Sequence, residues 1–422
     1  MRRWLRRLLW LAAVACLWLN VFDDPPLRSG AYLQDVGTDS ATIAKITAAP
    51  LRLRCVVTDG NGDVVQTVED ARDRRRHALR VSGLRPDTTY SYELTAGSGD
   101  AERGRIRTAP VCDDVPVRFA FLGDSGDQPW WVWLQHTPAL HLPARWDWFP
   151  TSSAVTEIGA AVAAYDPDFA LHLGDVVYPR GLHAHYRSGF FRPFAALIRN
   201  APLYAVLGNH DVMDCGGQQL LANLQAPASS ATGDHRCFSF ARGAVRVIGL
   251  DCNTWLTGDR YEAGHPSAEF LAAELARCSE PWIVVASHFP MRSASRQRDR
   301  GDLLLSLLPV IEEAQVSLYV SGHDHCYQRF PPKTDGGTPF VVSGGGGKSL
   351  YEVRPDPRAA VLESAYHWCS AEARGARLLV TAHALGDGVL DRFELSLPSG
   401  AALERLRRRL PARAVRIDAL AR

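Results

Sequence analysis

The sequence predicts an α/β protein in two parts, a small all-β domain followed by a larger α/β domain. Its 422 residues are too many for one small domain and suit two. Alternating segments and turn residues fill residues 31–112, whereas apolar runs of strand length alternate with amphipathic helices in residues 117–396. The composition is typical of a globular chain, and the net charge of +1 gives no reason to expect nucleic acid as a dedicated partner.

Residues 1–22 have the pattern of a signal peptide or of a membrane anchor. Four arginines lie within residues 2–7, and an apolar run follows over residues 8–22. Residues 13–15, Ala-Val-Ala, resemble a signal cleavage site, but the apolar run continues beyond them, so cleavage and retention both stay open. We therefore expect an exported protein that is periplasmic, secreted or anchored through its N-terminus on the outer side of a membrane. Residues 23–30 form a linker.

Residues 31–112 have the alternation and the turns of antiparallel β-structure. Residues 59–63, Asp-Gly-Asn-Gly-Asp, are a strong hairpin-turn signal between two alternating segments. Tyr90, Tyr92 and Leu94 share one face of a strand, and Tyr90 is placed like the tyrosine corner of a β-sandwich. The segment resembles a fibronectin type III module. Because it contains no catalytic constellation, we expect it to serve as a scaffold or a docking module.

Residues 117–396 are predicted to form an α/β domain with helices covering a sheet. Seven apolar runs have the length and composition of buried strands: Arg118–Leu122, Phe169–Leu173, Leu203–Leu207, Val245–Leu250, Trp282–Ala286, Val316–Val320 and Phe340–Val342. Amphipathic helices are expected over Ser267–Cys278 and Leu303–Ala314, and a closing hairpin over residues 378–395.

Three further features leave alternatives open. Residues 128–150 hold five tryptophans, which favour a packed loop or a contact with the β domain over a lid that stacks on substrate. The basic tail, residues 397–422, is expected to be solvated, with contact to anionic lipid as the alternative. The nine cysteines include no Cys-x-x-Cys pair, which argues against a thiolate zinc cluster, and Cys215 and Cys237 are the best candidates for a disulfide.

Polar side chains follow five of the predicted strands at the point where each strand ends. In chain order they are Asp124, then Asp175 and Tyr178, then Asn209 and His210, then His288, and finally His323 and His325. Glycine precedes several of them and allows a sharp turn of the backbone. Because the carboxyl ends of such strands meet at one edge of an α/β sheet, we expect these side chains to converge.

The number of ligands predicts two metal ions. Asp124, Tyr178 and His325 would hold one ion together with a bridging Asp175, and the phenolate of Tyr178 favours Fe(III) there. The second ion, Fe, Zn or Mn, would be held by the same bridge and by three nitrogen and oxygen donors: Asn209, His288 and His323. Two cations about 3.5–4 Å apart form a clamp for in-line displacement at phosphorus and make hydroxide available from bound water near neutral or acid pH.

Five motifs carry a resemblance to a known family. They are GDSG (123–126), GDVVY (174–178), GNHD (208–211), SHFP (287–290) and GHDH (322–325). The set resembles the calcineurin-like metallophosphoesterases, and Tyr178 singles out the purple acid phosphatases among them. The resemblance implies a pair of sheets flanked by helices and the same seven metal ligands. It also implies that His210 contacts phosphate and assists the leaving group, with Asp211 orienting His210 by a hydrogen bond.

One departure from the family pattern concerns the proton donor. Mammalian-type members have a further histidine shortly after the SHFP-like motif, whereas residues 291–298 contain arginines, which could hold phosphate but not donate a proton. His183 and His185 are candidates, although ordinary surface histidines are the simpler interpretation. Residues 344–347, four glycines before Lys348, could approach a phosphate but lack the phosphate-loop pattern.

Three functions follow as hypotheses. The leading one is an exported acid phosphatase that hydrolyses small-molecule phosphate monoesters with a binuclear iron-containing centre and metal-bound hydroxide as the nucleophile. The first alternative is a phosphodiesterase on nucleotides or lipids with the same metals. The second is a surface binding protein with a vestigial site.

Overall fold

The computed structural model describes residues 2–21, 27–96, 101–126, 153–213, 215–227, 235–253, 265–333 and 337–421. The tryptophan-rich insertion expected over residues 128–150 lies outside these ranges. The first element, helix α1 (Arg2–Val21), carries the four N-terminal arginines, and the side chains of Trp4, Leu8 and Trp10 on it are exposed. Within the described part of the chain, no helix combines the length and the apolar composition needed to cross a membrane.

The β domain consists of two antiparallel sheets that share one core. Its strands are β1 (Tyr32–Gln34), β2 (Ser40–Leu51), β3 (Arg54–Thr58), β4 (Val64–Glu69), β5 (Arg74–Ser82), β6 (Thr89–Thr95) and β7 (Glu102–Arg107). The sheet orders are β1-β2-β5 and β4-β3-β6-β7. The Tyr90 hydroxyl accepts a hydrogen bond from the Arg85 N–H at 2.9 Å, which is the contact that a tyrosine corner makes. The likeness to a fibronectin type III module stays a prediction.

The α/β domain begins at β8 and continues through alternating strands and helices. Its first half contains β8 (Val117–Leu122), α2 (Ser153–Tyr165), β9 (Phe169–His172), α3 (Ala195–Ile198), β10 (Leu203–Ala205), α4 (Asn209–Val212), α5 (Gln218–Asn223), β11 (Phe238–Arg242), β12 (Val245–Leu250) and α6 (Pro266–Arg277). Its second half contains β13 (Trp282–Ser287), α7 (Gly301–Ser306), α8 (Leu308–Glu313), β14 (Leu318–Ser321), β15 (Tyr327–Phe330), β16 (Phe340–Ser343), β17 (Val361–Glu363), β18 (His367–Arg374), β19 (Arg377–Ala384), β20 (Val389–Ser396), α9 (Gly400–Arg409) and α10 (Pro411–Leu420).

Two mixed sheets pack face to face in this domain. Their orders are β10-β9-β8-β18-β19-β20 and β11-β12-β13-β14-β16-β15-β17. Alternate side chains of β8 point to opposite faces: Phe119 joins the core between the sheets, whereas Leu122 joins a second core that contains Ile158 of α2. The α/β prediction and the arrangement of two sheets flanked by helices are therefore confirmed.

Because of the strand order, the predicted ligands lie at the same edge of the two sheets. Strands β8, β9 and β10 are parallel neighbours in one sheet, with Phe119 opposite Phe169 and Leu203 opposite Ala170. Strands β12, β13 and β14 are parallel neighbours in the other sheet. The segments that carry the ligands follow the carboxyl ends of β8, β9, β10, β13 and β14, where parallel strands form sites.

Two expectations, one helix and one disulfide, differ from the structure. The helix expected over Leu303–Ala314 is two short helices, because Pro309 lies in the first turn of α8 and cannot continue α7. The expected disulfide between Cys215 and Cys237 is not formed: Cys215 is exposed, whereas the Cys237 thiol is buried and donates to Ser267 Oγ at 3.5 Å.

The basic tail is not a solvated terminus. Most of it forms α9 and α10, whose apolar side chains Leu406 and Ile417 are buried. Arg413 is also fully buried, and its guanidinium donates to the carbonyls of Pro281 and Gln315 at 3.0 Å each. The spacing of apolar residues in this segment is that of amphipathic helices, and it predicts the structure better than the net charge does.

The β domain is hydrogen-bonded to the α/β domain at residues that precede β9 and β10, at the ends of these strands opposite the predicted ligands. The Tyr92 hydroxyl donates to the carbonyl of Arg199 at 2.9 Å, and Arg107 pairs with Asp168 at 3.0 Å. A Cβ at Gly104 would lie 2.6 Å from the same Arg199 carbonyl, so this close approach requires glycine. These contacts fit the expected scaffold role of the β domain.

Candidate metal centre

Three of the predicted ligands stand at backbone positions that few residues adopt. Asp124, Asp175 and His323 have φ of 57°, 55° and 66°, in the left-handed region where aspartate and histidine are tolerated better than most residues. A Cβ at Gly208 would lie 2.2 Å from Asp175 Oδ1, so glycine is needed there for the loops to approach. Such strained positions cluster at functional sites.

The first cluster gathers around the phenol of Tyr178. Its Oη lies 3.0 Å from Asp124 Oδ1, 3.0 Å from Asp175 Oδ2 and 3.3 Å from His325 Nε2. His325 Nε2 is also 3.4 Å from Asp124 Oδ1. All four side chains are buried. One phenolic proton therefore faces three acceptor atoms.

The second cluster gathers around the amide oxygen of Asn209. That atom lies 2.9 Å from His288 Nε2 and 3.0 Å from His323 Nδ1. His288 Nε2 is 3.5 Å from Asp175 Oδ2, the same oxygen that contacts Tyr178 in the first cluster. Asp175 therefore lies between the clusters, and the structure brings all seven predicted ligands together in the predicted grouping. Their role as metal ligands stays a prediction.

Backbone carbonyls fix the orientation of two imidazoles. His288 donates its Nδ1–H to the Leu173 carbonyl at 2.8 Å, and His325 donates its Nδ1–H to the Ser349 carbonyl at 2.7 Å. When such a ring is neutral, its Nε2 presents a lone pair to the site. Burial opposes charge on His288, but the carboxylates of Asp175 and Asp124 raise the pKa of this imidazole, so a metal ion at Nε2 would displace a proton. Burial lowers the pKa of His323 to about 3, which keeps that imidazole neutral.

The donor set fits metal ions. Carboxylate, amide and imidazole atoms that can each donate a lone pair lie within hydrogen-bonding distance of one another, and a cation can bind such a set. Asp124, Asp175 and His288 alone offer ligand atoms within 4.8 Å of one another. Mixed nitrogen and oxygen donors without thiolate suit iron, zinc or manganese.

The charge state of Tyr178 also depends on a cation. Burial raises the pKa of this phenol well above its usual range, and the carboxylates of Asp124 and Asp175 raise it further. The protein groups alone therefore keep Tyr178 protonated at neutral pH. A phenolate at this position requires a strongly charged ion beside it, such as Fe(III).

His210 stands at the edge of the centre, in a position suited to substrate. Its Nδ1–H donates to the Pro179 carbonyl at 2.6 Å, and its Nε2 lies 4.0 Å from Asp175 Oδ2. About a quarter of the side chain, 26%, is exposed. The ring packs against Tyr178, with centroids 4.4 Å apart. Nε2 is therefore the atom available to a bound ligand.

The predicted hydrogen bond from Asp211 to His210 is wrong. The Asp211 carboxylate is fully buried and accepts three backbone N–H groups, from Asp175 at 2.7 Å, Val176 at 3.0 Å and Gly208 at 2.9 Å. Asp211 thus holds the two ligand-bearing loops against each other, and Pro179 orients the histidine. A backbone partner cannot be recognised from sequence, because every residue has a carbonyl.

Three side chains beside the centre were missed or undervalued by the motifs. Tyr351 stacks on His325 with centroids 4.0 Å apart, Arg296 covers Tyr351, and the Lys348 ammonium is 4.6 Å from the Tyr178 ring centroid. The glycine run before Lys348 was the available signal. His183, by contrast, lies 3.4 Å from an Arg76 nitrogen of the β domain.

Comparisons with known proteins identify relatives of the α/β domain. The profile described as calcineurin-like phosphoesterase matches residues 117–327. Purple acid phosphatase 17 of Arabidopsis thaliana is 29% identical over 260 residues, which are 57% of this chain and 71% of that protein. The solved structure of purple acid phosphatase PPD1 from yellow lupin (Lupinus luteus) seeds aligns with a TM-score of 0.70 at 18% identity, over 89% of this chain and 75% of that one.

A bacterial relative aligns with a larger share of this chain than the plant enzyme does. An uncharacterized protein of Mycobacterium tuberculosis is 31% identical over 321 residues, or 68% of this chain. The aligned region is 58% of that relative, so this chain spans less than two thirds of its length. Together these matches cover the segments that supply both clusters.

Proposed function

The chain belongs to the calcineurin-like phosphoesterase family, and we propose that it hydrolyses small-molecule phosphate monoesters as an acid phosphatase. Its sequence is similar to that of purple acid phosphatases. The observation that carries the proposal is the position of Asp175, whose Oδ2 lies 3.0 Å from Tyr178 Oη and 3.5 Å from His288 Nε2. A carboxylate that borders two donor clusters can bridge two metal ions.

The metals are part of the proposal. Asp124, Asp175, Tyr178 and His325 would hold Fe(III), because a phenolate is a hard donor that favours a trivalent ion. The second group, with its amide and two imidazoles, would hold Fe, Zn or Mn: Asp175, Asn209, His288 and His323. When bound, the two ions supply Lewis-acid activation of water and neutralise charge on the phosphoryl oxygens.

The protein groups then have separate tasks. His210 has its Nδ1–H fixed on Pro179, so Nε2 can donate a hydrogen bond or a proton to an ester oxygen only when the ring is protonated. Asp211, which is fully buried, holds the backbone of Asp175, Val176 and Gly208 in place by accepting their three N–H groups.

Export of the protein is likewise proposed. The supporting feature is α1, with its arginine-rich start and exposed apolar side chains, which is the composition of a signal or an anchor. Association with a membrane would run through this helix. N-terminal sequencing of the protein recovered from its native compartment tests this proposal, since a cytoplasmic location with an intact Met1 would contradict it.

The reaction is tested with two substrates that release the same chromophore. We expect p-nitrophenyl phosphate to be hydrolysed at least about tenfold faster than bis(p-nitrophenyl) phosphate by the metal-containing protein. Preference for the diester would favour a phosphodiesterase instead. No turnover of either ester, with both metals present, would indicate the binding protein with a vestigial site.

A further inference from the structure

Two cationic side chains lie on aromatic rings at the first cluster: Lys348 on the predicted ligand Tyr178, and Arg296 on Tyr351. The Lys348 ammonium lies 4.6 Å from the centroid of the Tyr178 ring. The Arg296 guanidinium lies 4.0 Å from the centroid of the Tyr351 ring, and Tyr351 in turn stacks on His325. Both charges are therefore beside the first cluster, but neither is needed to hold a metal ion.

The backbone fixes the position of Lys348 relative to the centre. The Lys348 N–H donates to the carbonyl of Asp124 at 3.0 Å, and the Gly346 N–H donates to the carbonyl of Gly123 at 3.0 Å. Gly347 has φ of 148°, and a Cβ there would lie 2.2 Å from a methyl group of Val155. Only glycine permits this close packing, so the loop that bears Lys348 is built against the loop of a predicted ligand.

Lysine is a rare choice in this protein. Lys45, Lys333 and Lys348 are the three lysines among 47 basic residues. Lys45 pairs with Glu102 in the β domain, and Lys333 is exposed. A lysine ammonium is a compact charge on a flexible stem, which suits an anion whose position varies among substrates.

Arg296 contacts the protein through the Tyr351 ring rather than through an ion pair. The side chain is exposed, and no carboxylate in the described ranges forms an ion pair with it. The nearest acid in sequence, Asp299, is bonded to Arg358 at 2.6 and 3.2 Å. Arg296 can therefore bind an external anion without first breaking an ion pair.

We infer that Lys348 and Arg296 form a subsite for a second anionic group of the substrate. The two metal ions already balance the charge of one phosphoryl group. The two further cations beside the centre would therefore balance a second negative group on the same substrate. The substrate class is then phosphate esters that carry a carboxylate or a second phosphate a few bonds from the scissile phosphoryl group. This inference rests on the proposed function for the identity of the centre.

The test uses two stable phosphonates that differ by one carboxylate, methylphosphonate and phosphonoacetate. Calorimetric titration of the full chain with its native metals should give phosphonoacetate about tenfold tighter binding, the effect of a charge-assisted hydrogen bond. Lys348→Met should remove most of this preference and leave methylphosphonate binding unchanged. Lys348→Arg should retain it, and the control Lys333→Met should behave as the wild type.

Either of two results would overturn the inference. One is equal binding of both phosphonates by the wild type. The other is a Lys348→Met variant that keeps the preference, or that weakens both phosphonates equally at unchanged metal content. Because the titration needs no turnover, a chain that prefers phosphonoacetate but hydrolyses no ester contradicts the proposed function alone.

Discussion

Asn209 Oδ1 lies 2.9 Å from Nε2 of His288, an imidazole whose burial opposes the charge but whose pKa is raised by the Asp175 and Asp124 carboxylates. His288 uses its Nδ1–H on the Leu173 carbonyl, so Nε2 presents a lone pair when the ring is neutral. The same amide oxygen lies 3.0 Å from His323 Nδ1. Without a metal ion these contacts are hydrogen bonds from the imidazoles to the amide oxygen, and a metal ion bound here would replace the proton on His288 Nε2.

Asp175→Asn should disrupt both metal positions together. The amide keeps the size of the side chain but removes the charge that borders both clusters. We expect the metal content to fall below two ions per chain and the rate to fall by at least about 100-fold. Elemental analysis and kinetics on one preparation check this. A variant that keeps two ions and near-normal rates would show that Asp175 is not the bridge.

His210→Ala should impair chemistry without disturbing the metals. The ring touches Tyr178 and the Pro179 carbonyl but is not among the seven predicted ligands. Loss of a general acid predicts a fall in kcat of about 100-fold or more at unchanged metal content. Equal kcat in the variant would remove His210 from the reaction.

Asp211→Asn should act on stability first. The Asp211 carboxylate accepts hydrogen bonds from three backbone N–H groups through its two oxygens. In asparagine an NH₂ group replaces one of these oxygens, so at least one backbone N–H would face another donor. We expect a loss of about 2 kcal/mol or more in the free energy of unfolding, because a buried donor is left unsatisfied. Thermal unfolding beside His210→Ala is the matched comparison, and equal stability of the two variants would contradict the assigned role.

Acid should destabilise the fold partly through His367. Burial lowers the pKa of this fully buried imidazole to about 4, from about 6.5 in an unfolded chain. Between these values the unfolded chain binds a proton that the folded chain does not, so stability falls as the pH decreases from about 6.5 to 4.

Urea unfolding of His367→Gln checks this pH dependence. The glutamine can still donate to the Ala365 carbonyl and accept from Ser343, which are the contacts of the imidazole. Between pH 7 and pH 5 the variant should lose about 2 kcal/mol less stability than the wild type. Identical losses would assign the acid sensitivity to other groups.

The sequence was sufficient to predict the strands and the convergence of the polar side chains that follow them. Runs such as Phe169–Leu173 are apolar on both faces, because they lie in sheets covered on both sides, and the polar residue after each run is then conspicuous. Asp175 and Tyr178 could be named for this reason. The division of the seven predicted ligands into two groups followed from their donor types, a phenol in one group and an amide in the other.

What the sequence did not predict depends on backbone partners and on packing between distant segments. The Pro179 carbonyl that orients His210 has no side-chain signature. The charge of the basic tail predicts a solvated Arg413, yet this side chain is buried against the carbonyls of Pro281 and Gln315, which are about 100 residues or more away in the chain. The stack of Tyr351 on His325 likewise depends on how the loop after β16 folds back.

The binuclear centre is tested by measuring metal content and the visible spectrum of the wild type and of Tyr178→Phe. We expect two metal ions per chain, iron among them, with a visible absorption from the phenolate–iron contact that disappears in Tyr178→Phe. Iron without that absorption, a spectrum that Tyr178→Phe leaves unchanged, or a single ion per chain would contradict the two-metal centre built around Asp175 and Tyr178.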